Sequence, residues 1–166
     1  NSSIWYIEQM SEENLFPPPP SVSAAAHITP DQYKTLYTQS IKDPDAFWGK
    51  MASRLSWLTV PTKIKNTSFH LPVSIKWYED GVLNACHNCV DRHLPHKQND
   101  IAFIWEGDDP GDTRRITYGE LKTEISKLTN ALKSRGVKKG DRVTIYMPMV
   151  PEAAYAMLAC ARMGAV

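Results

Sequence analysis

Five residues able to bind metal or carry out redox chemistry crowd into one short stretch: Cys86, His87, Cys89, His93 and His96. Thiolate and imidazole are the ligands zinc favours, and on a helix Cys86, Cys89 and His93 share one face at i, i+3 and i+7. Structural zinc sites usually draw their ligands from two separated pairs, so that the metal closes a loop. Here all candidates fall between Cys86 and His96. The Cys-x-x-Cys spacing also suits a dithiol, but no thioredoxin-like strand precedes it. A packed helix with incidental thiols is the expectation.

Three other patterns invite chemistry and fail on spacing. Lys138-Lys139-Gly140-Asp141 suggests a phosphate loop. A Walker loop, however, needs two glycines spaced around four residues and followed by Lys-Ser/Thr, so that backbone amides surround the phosphates. A solvated turn is expected instead. Asp108, Asp109 and Asp112 are oxygen ligands that could gather a divalent cation, but their spacing is not that of an EF-hand. They read as a polar hairpin tip. Tyr33, Tyr37, Phe47, Trp48 and Trp57 could stack on bases, yet no basic groove is visible beside them in the sequence, and packing is the expectation. No residue is therefore expected to be catalytic, cofactor-binding or metal-binding.

The elements that must position these residues are more legible. Thr29-Pro30-Asp31-Gln32 is a capping box with Pro at N1, opening a helix that carries Tyr33, Leu36, Tyr37 and Ile41. Asp43-Pro44-Asp45 opens a second, with Phe47, Trp48, Met51 and Leu55 on its apolar face. Helices this short need tertiary contact to persist. Val73, Ile75 and Trp77 alternate with polar residues and predict a strand ahead of an Asp80-Gly81 turn. Asn84 to Leu94 is predicted helical. Ile101–Trp105 and Arg114–Thr117 predict a hairpin across the turn-rich 107–112 stretch.

Thr117-Tyr118-Gly119-Glu120 is another capping box, leading a helix with Leu121, Ile125, Leu128 and Leu132 on one face and Gly136 at its end. Arg142–Met147 predicts a strand and Ala153–Met163 a helix closed by Gly164, with Ala165-Val166 as the first step of a further strand. Strand, helix and strand at this spacing imply an α/β sheet with right-handed crossovers.

Composition narrows the class. Of 166 residues, 42% are hydrophobic and 22% charged, the balance of a globular protein. The net charge of +1 gives no electrostatic case for nucleic acid or an anionic membrane. No apolar stretch is long enough to span a bilayer and no secretory signal opens the sequence, so a cytoplasmic protein is expected. Residues 1–28 differ from the rest: Pro17–Pro20 favours polyproline II, Ser21–Ala26 is weakly patterned, and Met10 is a candidate start with Asn1–Gln9 as a leader. A Pro-rich tract can recruit an SH3-type partner, but flanking basic residues are lacking, and an extended arm is expected.

Several blocks together resemble the AMP-forming acetyl-CoA synthetases of the acyl-adenylate-forming superfamily. They are Tyr37–Ile41 with Pro44–Trp48, Val73–Gly81, Asn88–Leu94, Trp105–Asp109, and Ile145–Ala154 running on through Met157–Val166. Cys86 stands where a small residue serves in that family. The resemblance implies an α/β protein cut in mid-fold. Residues 1–28 would be a Pro-rich leader, 29–95 a helical, aromatic-rich arm, and 96–166 the first βαβ units of an incomplete AMP-binding large domain.

The resemblance further implies that the parent uses ATP, Mg2+ and CoA to convert acetate through acetyl-adenylate to acetyl-CoA. It places the phosphate loop, the acyl pocket, the CoA contacts and the catalytic lysine beyond Val166. The partner expected for this segment is then the remainder of its own polypeptide, and no cofactor is expected on the segment itself. A propionyl-CoA synthetase and a non-catalytic interaction module derived from the family are the rival readings.

Overall fold

The computed structural model describes residues 16–166, and the chain divides between Phe47 and Trp48 into two compact units. The readings of Met10 and Asn1–Gln9 lie outside the described residues.

In the first unit Pro19 is extended (φ −56°, ψ 143°), but Pro20–Ala24 forms a helical turn, α1, rather than a continuous extended arm. Pro20 supplies the preset φ of a first helical residue, and the small residues after it permit the turn. Helix α2, Pro30–Lys42, begins where the capping box was expected. The Thr29 hydroxyl accepts from the Gln32 amide at 3.3 Å, and the Thr29 amide donates to the Gln32 side chain at 2.8 Å. Asp31 and Lys42 sit at the helix ends that their charges favour. Tyr33 and Tyr37 stack at 6.1 Å while remaining more than half exposed.

Helix α3, Pro44–Ala52, is capped by the Asp43 carboxylate, which accepts from the Ala46 amide. Trp48 onward belongs to the second unit. There Trp48 meets Trp77 edge-on at 5.8 Å, and the Trp57 indole N–H donates to the Ala52 carbonyl at 2.8 Å.

Strand β2, Ser74–Trp77, pairs antiparallel with β1, Lys65–Ser68, with Thr67 opposite Ile75. The hairpin base is tied by Asp80, whose Oδ1 accepts from the Thr62 and Lys63 amides at 3.0 Å. Hydrogen bonds from the Thr62 hydroxyl and these amides hold its carboxyl down at about 2. Gly81 fits beneath the Trp57 ring, where a Cβ would lie 2.7 Å from a ring carbon.

The helix expected over Asn84–Leu94 is broken. It comprises α4, Ala85–Cys89, a 3-10 turn at Asp91–His93, and α5, Leu94–Lys97. Pro95 cannot donate to a continuing helix, and Val90 leaves helical geometry. Strands β3, Ile101–Glu106, and β4, Thr113–Thr117, form the expected hairpin, with a register shift between Ile101 and Phe103. Helix α6, Tyr118–Ser134, opens with the expected capping box at Thr117 and Glu120. Gly136 takes the positive φ of +89° just beyond it. Helix α7, Pro151–Met163, ends on Gly164 in the left-handed region, with the Ala165 amide closing on the Cys160 carbonyl at 2.9 Å.

Cys86, Val90, Ile116, Leu121, Ile125, Tyr155 and Ala159 form one buried cluster joining α4, β4, α6 and α7. Phe103 and Trp105 pack against it from β3.

The strand expected at Arg142–Met147 forms no ladder of its own. Two backbone bonds give it a single pairing. The Val166 amide donates to the Asp141 carbonyl and the Val143 amide to the Val166 carbonyl, each at 2.8 Å. That pattern brackets Arg142 against Val166 as one parallel rung. Residues 144–147 meet no neighbouring strand among the described residues, so a regular ladder is not reached. Residues 141–143, α7 and Val166 thus make the start of a strand–helix–strand unit of parallel sense.

Candidate functional site

The most strongly charged partly buried feature is built on Asp91, in the 3-10 turn. Asn84 positions that turn: its Oδ1 caps α4 through the His87 amide at 3.0 Å. Its Nδ2 reaches the Arg162 carbonyl at 3.0 Å and the Ala161 carbonyl at 3.3 Å, near the end of α7. Arg162 returns a bidentate pair to Asp91, at 2.8 and 3.0 Å, and Lys122 from α6 binds the same carboxylate at 2.5 Å. Planar guanidinium matches a carboxylate fork, which makes this the strong form of an ion pair. Partial burial works against ionisation at Asp91, but hydrogen bonds from Arg162 and Lys122 outweigh it and bring the carboxyl to about 2. Donating to the Asp91 carboxylate in turn raises the pKa of the Arg162 guanidinium.

Beside this clasp lies a polar cleft of about 510 Å³, walled by residues including His87, Ser126, Asn130 and Lys133. The Ser126 hydroxyl is spent on the Lys122 carbonyl, and that of Thr129 on the Ile125 carbonyl. The clasp joins three elements and presents no nucleophile paired with a base.

The residues that invited metal chemistry are scattered. Cys86 is fully buried in the core, whereas Cys89 is exposed. Burial pushes the Cys86 thiol up, and its sulfur faces a cation, Arg162 Nη1, at 3.6 Å. His93 lies against Tyr118 at 5.5 Å, and His96 is exposed on α5. The break after Cys89 removes the shared face that a continuous helix would have given. Among the described residues no group of three or more His, Cys, Asp or Glu is placed to hold a metal ion.

At Lys138–Asp141 the backbone forms a turn. The Lys138 amide donates to the Asp141 carboxylate at 2.9 Å, the Gly140 amide to the Gly164 carbonyl, and the Asp141 amide to the Lys138 carbonyl. With those donors committed, the segment offers no cradle of free amides for phosphate. The Asp109–Asp112 loop closes on itself, the Gly107 amide donating to the Asp112 carbonyl at 2.7 Å and the Asp112 amide to the Asp109 carbonyl.

Two features escaped the sequence. Lys65–Ser68 is a strand although Lys65, Asn66 and Ser68 are polar or charged, so periodicity gives no signal. Arg92 donates to the Arg54 carbonyl at 2.9 Å across 38 positions, placing two arginines beside Trp48 and Tyr78, where no basic groove was foreseen.

The chain matches the family model "Acetyl-coenzyme A synthetase N-terminus" over residues 33–89 and the model "AMP-binding enzyme" over 90–166. It is 55% identical over 155 residues to an acetyl-coenzyme A synthetase of Bradyrhizobium diazoefficiens, covering 93% of this chain and 24% of that protein. It is 56% identical over 158 residues to the enzyme of that name from Parvibaculum lavamentivorans, covering 95% and 24%. The chain thus spans about a quarter of the length of these relatives. Among solved structures it resembles an acetoacetyl-CoA synthetase from Streptomyces lividans, with TM-score 0.71 and 25% identity, covering 81% of this chain and 20% of that one.

Proposed function

Because the chain belongs to the acetyl-coenzyme A synthetase family, we propose that it is the amino-terminal scaffold of an AMP-forming acetate–CoA ligase and supplies no reacting group of its own. In the parent reaction acetate oxygen attacks the α-phosphate of MgATP, forming acetyl-adenylate and releasing pyrophosphate. The CoA thiol then attacks the acetyl carbonyl, AMP leaves, and acetyl-CoA forms.

The observation that carries the scaffold reading is the fate of the polar candidates. Asp91, Arg162 and Lys122 satisfy one another, and the amides of the Lys138–Asp141 turn are internally bonded. Electrostatic catalysis needs donors left free and aimed at developing charge. What the segment does supply is a sheet start. The Arg142–Val166 rung sets parallel direction, and the 142–147 edge carries apolar Ile145 and Met147 on one face, where further packing can cover them. Substrate acetate, ATP, Mg2+ and CoA are then held by the rest of the polypeptide, which is also the partner of this edge. Among the described residues no helix is long and apolar enough to cross a membrane, and the three cysteines are free. A cytoplasmic location for the parent is part of the same proposal.

Acetate-dependent pyrophosphate release tests the reading. The full-length polypeptide is expected to turn over and residues 1–166 alone to give no release above background. Turnover by residues 1–166 would overturn it.

A further inference from the structure

A groove of about 800 Å³ lies in the second unit between the end of α3 and the 3-10 turn. Its floor is apolar, from Met51, Leu55 and the Tyr78 ring, and its rim carries Arg54, Arg92 and His93. No carboxylate lines it. We propose that this groove docks an acidic peptide segment anchored by an apolar side chain.

The geometry supplies both halves of that recognition. Leu55 is 43% exposed, and the Tyr78 hydroxyl is occupied in donating to the Trp48 carbonyl at 2.9 Å, so the ring is held as a fixed wall. A leucine or aromatic anchor entering there removes apolar surface from water on both sides. On the rim, one guanidinium nitrogen of Arg92 is fixed by the Arg54 carbonyl and by Asn88 Oδ1 at 3.0 Å. Its other N–H groups keep the fork that pairs with a carboxylate. Arg54 is exposed and forms no ion pair among the described residues. Two arginines facing no acid make a positive field over an apolar floor, and a glutamate-bearing segment complements it. Nucleic acid fits less well. It needs a cationic track along successive phosphates, and this rim is two arginines wide in a chain of net charge +1.

The test is fluorescence anisotropy on the full-length polypeptide. The probe is a short labelled peptide with glutamates around a leucine pair, run beside its lysine-for-glutamate counterpart. The acidic peptide is expected to bind saturably, and the lysine peptide at least about ten-fold more weakly. Arg54→Glu is expected to weaken the acidic peptide by about ten-fold, with Arg54→Lys restoring most of the loss. Leu55→Asp, which leaves the arginines in place, is expected to weaken it similarly. The proposal is overturned by absence of saturable binding, by equal affinity for the two peptides, or by affinity unchanged in Arg54→Glu and Leu55→Asp. Binding of a single-stranded RNA oligonucleotide or of phosphatidylglycerol vesicles in place of the acidic peptide overturns it equally.

Discussion

Two antiparallel hairpins in the second unit meet opposite fates. The β3–β4 hairpin turns Ile116 into a core position at 4% exposure and packs Phe103 and Trp105 beside it. The β1–β2 hairpin leaves Ile75 at 57% and Phe69 at 80%. Strand propensity favours β3, which is apolar where β1 is polar, but propensity alone buries no residue. Burial comes from a covering layer. Helices α6 and α7 close over β3–β4, whereas β1–β2 is held at its base by Asp80 and by the aromatic contacts of Trp77 and Tyr78. A lone two-stranded hairpin is marginal in water, so the stability of each is set by what packs on it.

The largest expected effect that tests this contrast is in the covered region. Ile125 is fully buried between the hairpin and α7. Ile125→Ala should cost about 2–5 kcal/mol, read as a lowered thermal unfolding midpoint. A loss below about 1 kcal/mol would mean that the core is not closed as described.

Next comes the clasp. Asp91→Asn leaves Arg162 and Lys122 without their acid, and both are partly exposed, so a loss of about 1–2 kcal/mol is expected in urea unfolding. The same group sets an acid response. Its folded pKa of about 2 lies below the unfolded carboxylate value near 3.8. The stabilisation is therefore complete above pH 4 and fades as pH falls toward 2. Asp91→Asn should flatten stability across that window, and an unchanged acid limb would remove the clasp from the account.

Smaller again is Gly81→Ala. The added Cβ meets the Trp57 ring at 2.7 Å and Pro61 at 3.0 Å, and a loss of about 1 kcal/mol is expected, with a changed tryptophan emission reporting the displaced ring. Smallest is Ile75→Ala, within about 0.5 kcal/mol because the side chain is already wet. An effect there as large as at Ile125 would break the comparison between the hairpins.

Much of the covered region was legible in the sequence because local and tertiary signals agree there. The Thr117/Glu120 box, the Leu121–Ile125–Leu128–Leu132 stripe and Gly164 announce α6 and α7, and each takes its expected place. The Thr29 box is equally exact in announcing α2. Sequence and fold part where a single residue or a distant neighbour decides the outcome. Pro95 and the geometry of Val90 split the Asn84–Leu94 helix that apolar spacing alone predicts. Arg142–Met147 has strand composition, but a ladder also needs neighbours, and Val166 supplies one rung. Asp91, Lys122 and Arg162 lie far apart in the chain and carry no mutual spacing pattern, so their convergence was invisible before folding. The same is true of Arg54 and Arg92. The candidate chemistry was legible mainly in its failure: Cys86 and Cys89 share helix α4, yet one is buried and the other exposed, and the break at Val90 carries His93 onto a separate turn.

On the scaffold reading, these residues place the sheet and leave the reaction to the rest of the polypeptide. Cys89, His96 and Asp109 are exposed, polar and outside the core, so changing them perturbs chemistry before packing. The direct test is acetate-dependent pyrophosphate release by the full-length polypeptide bearing Cys89→Ser, His96→Gln and Asp109→Asn together. Scaffolding predicts a rate within about two-fold of the unsubstituted protein. A fall of about a hundred-fold or more with folding intact would place reacting groups in this segment and contradict it.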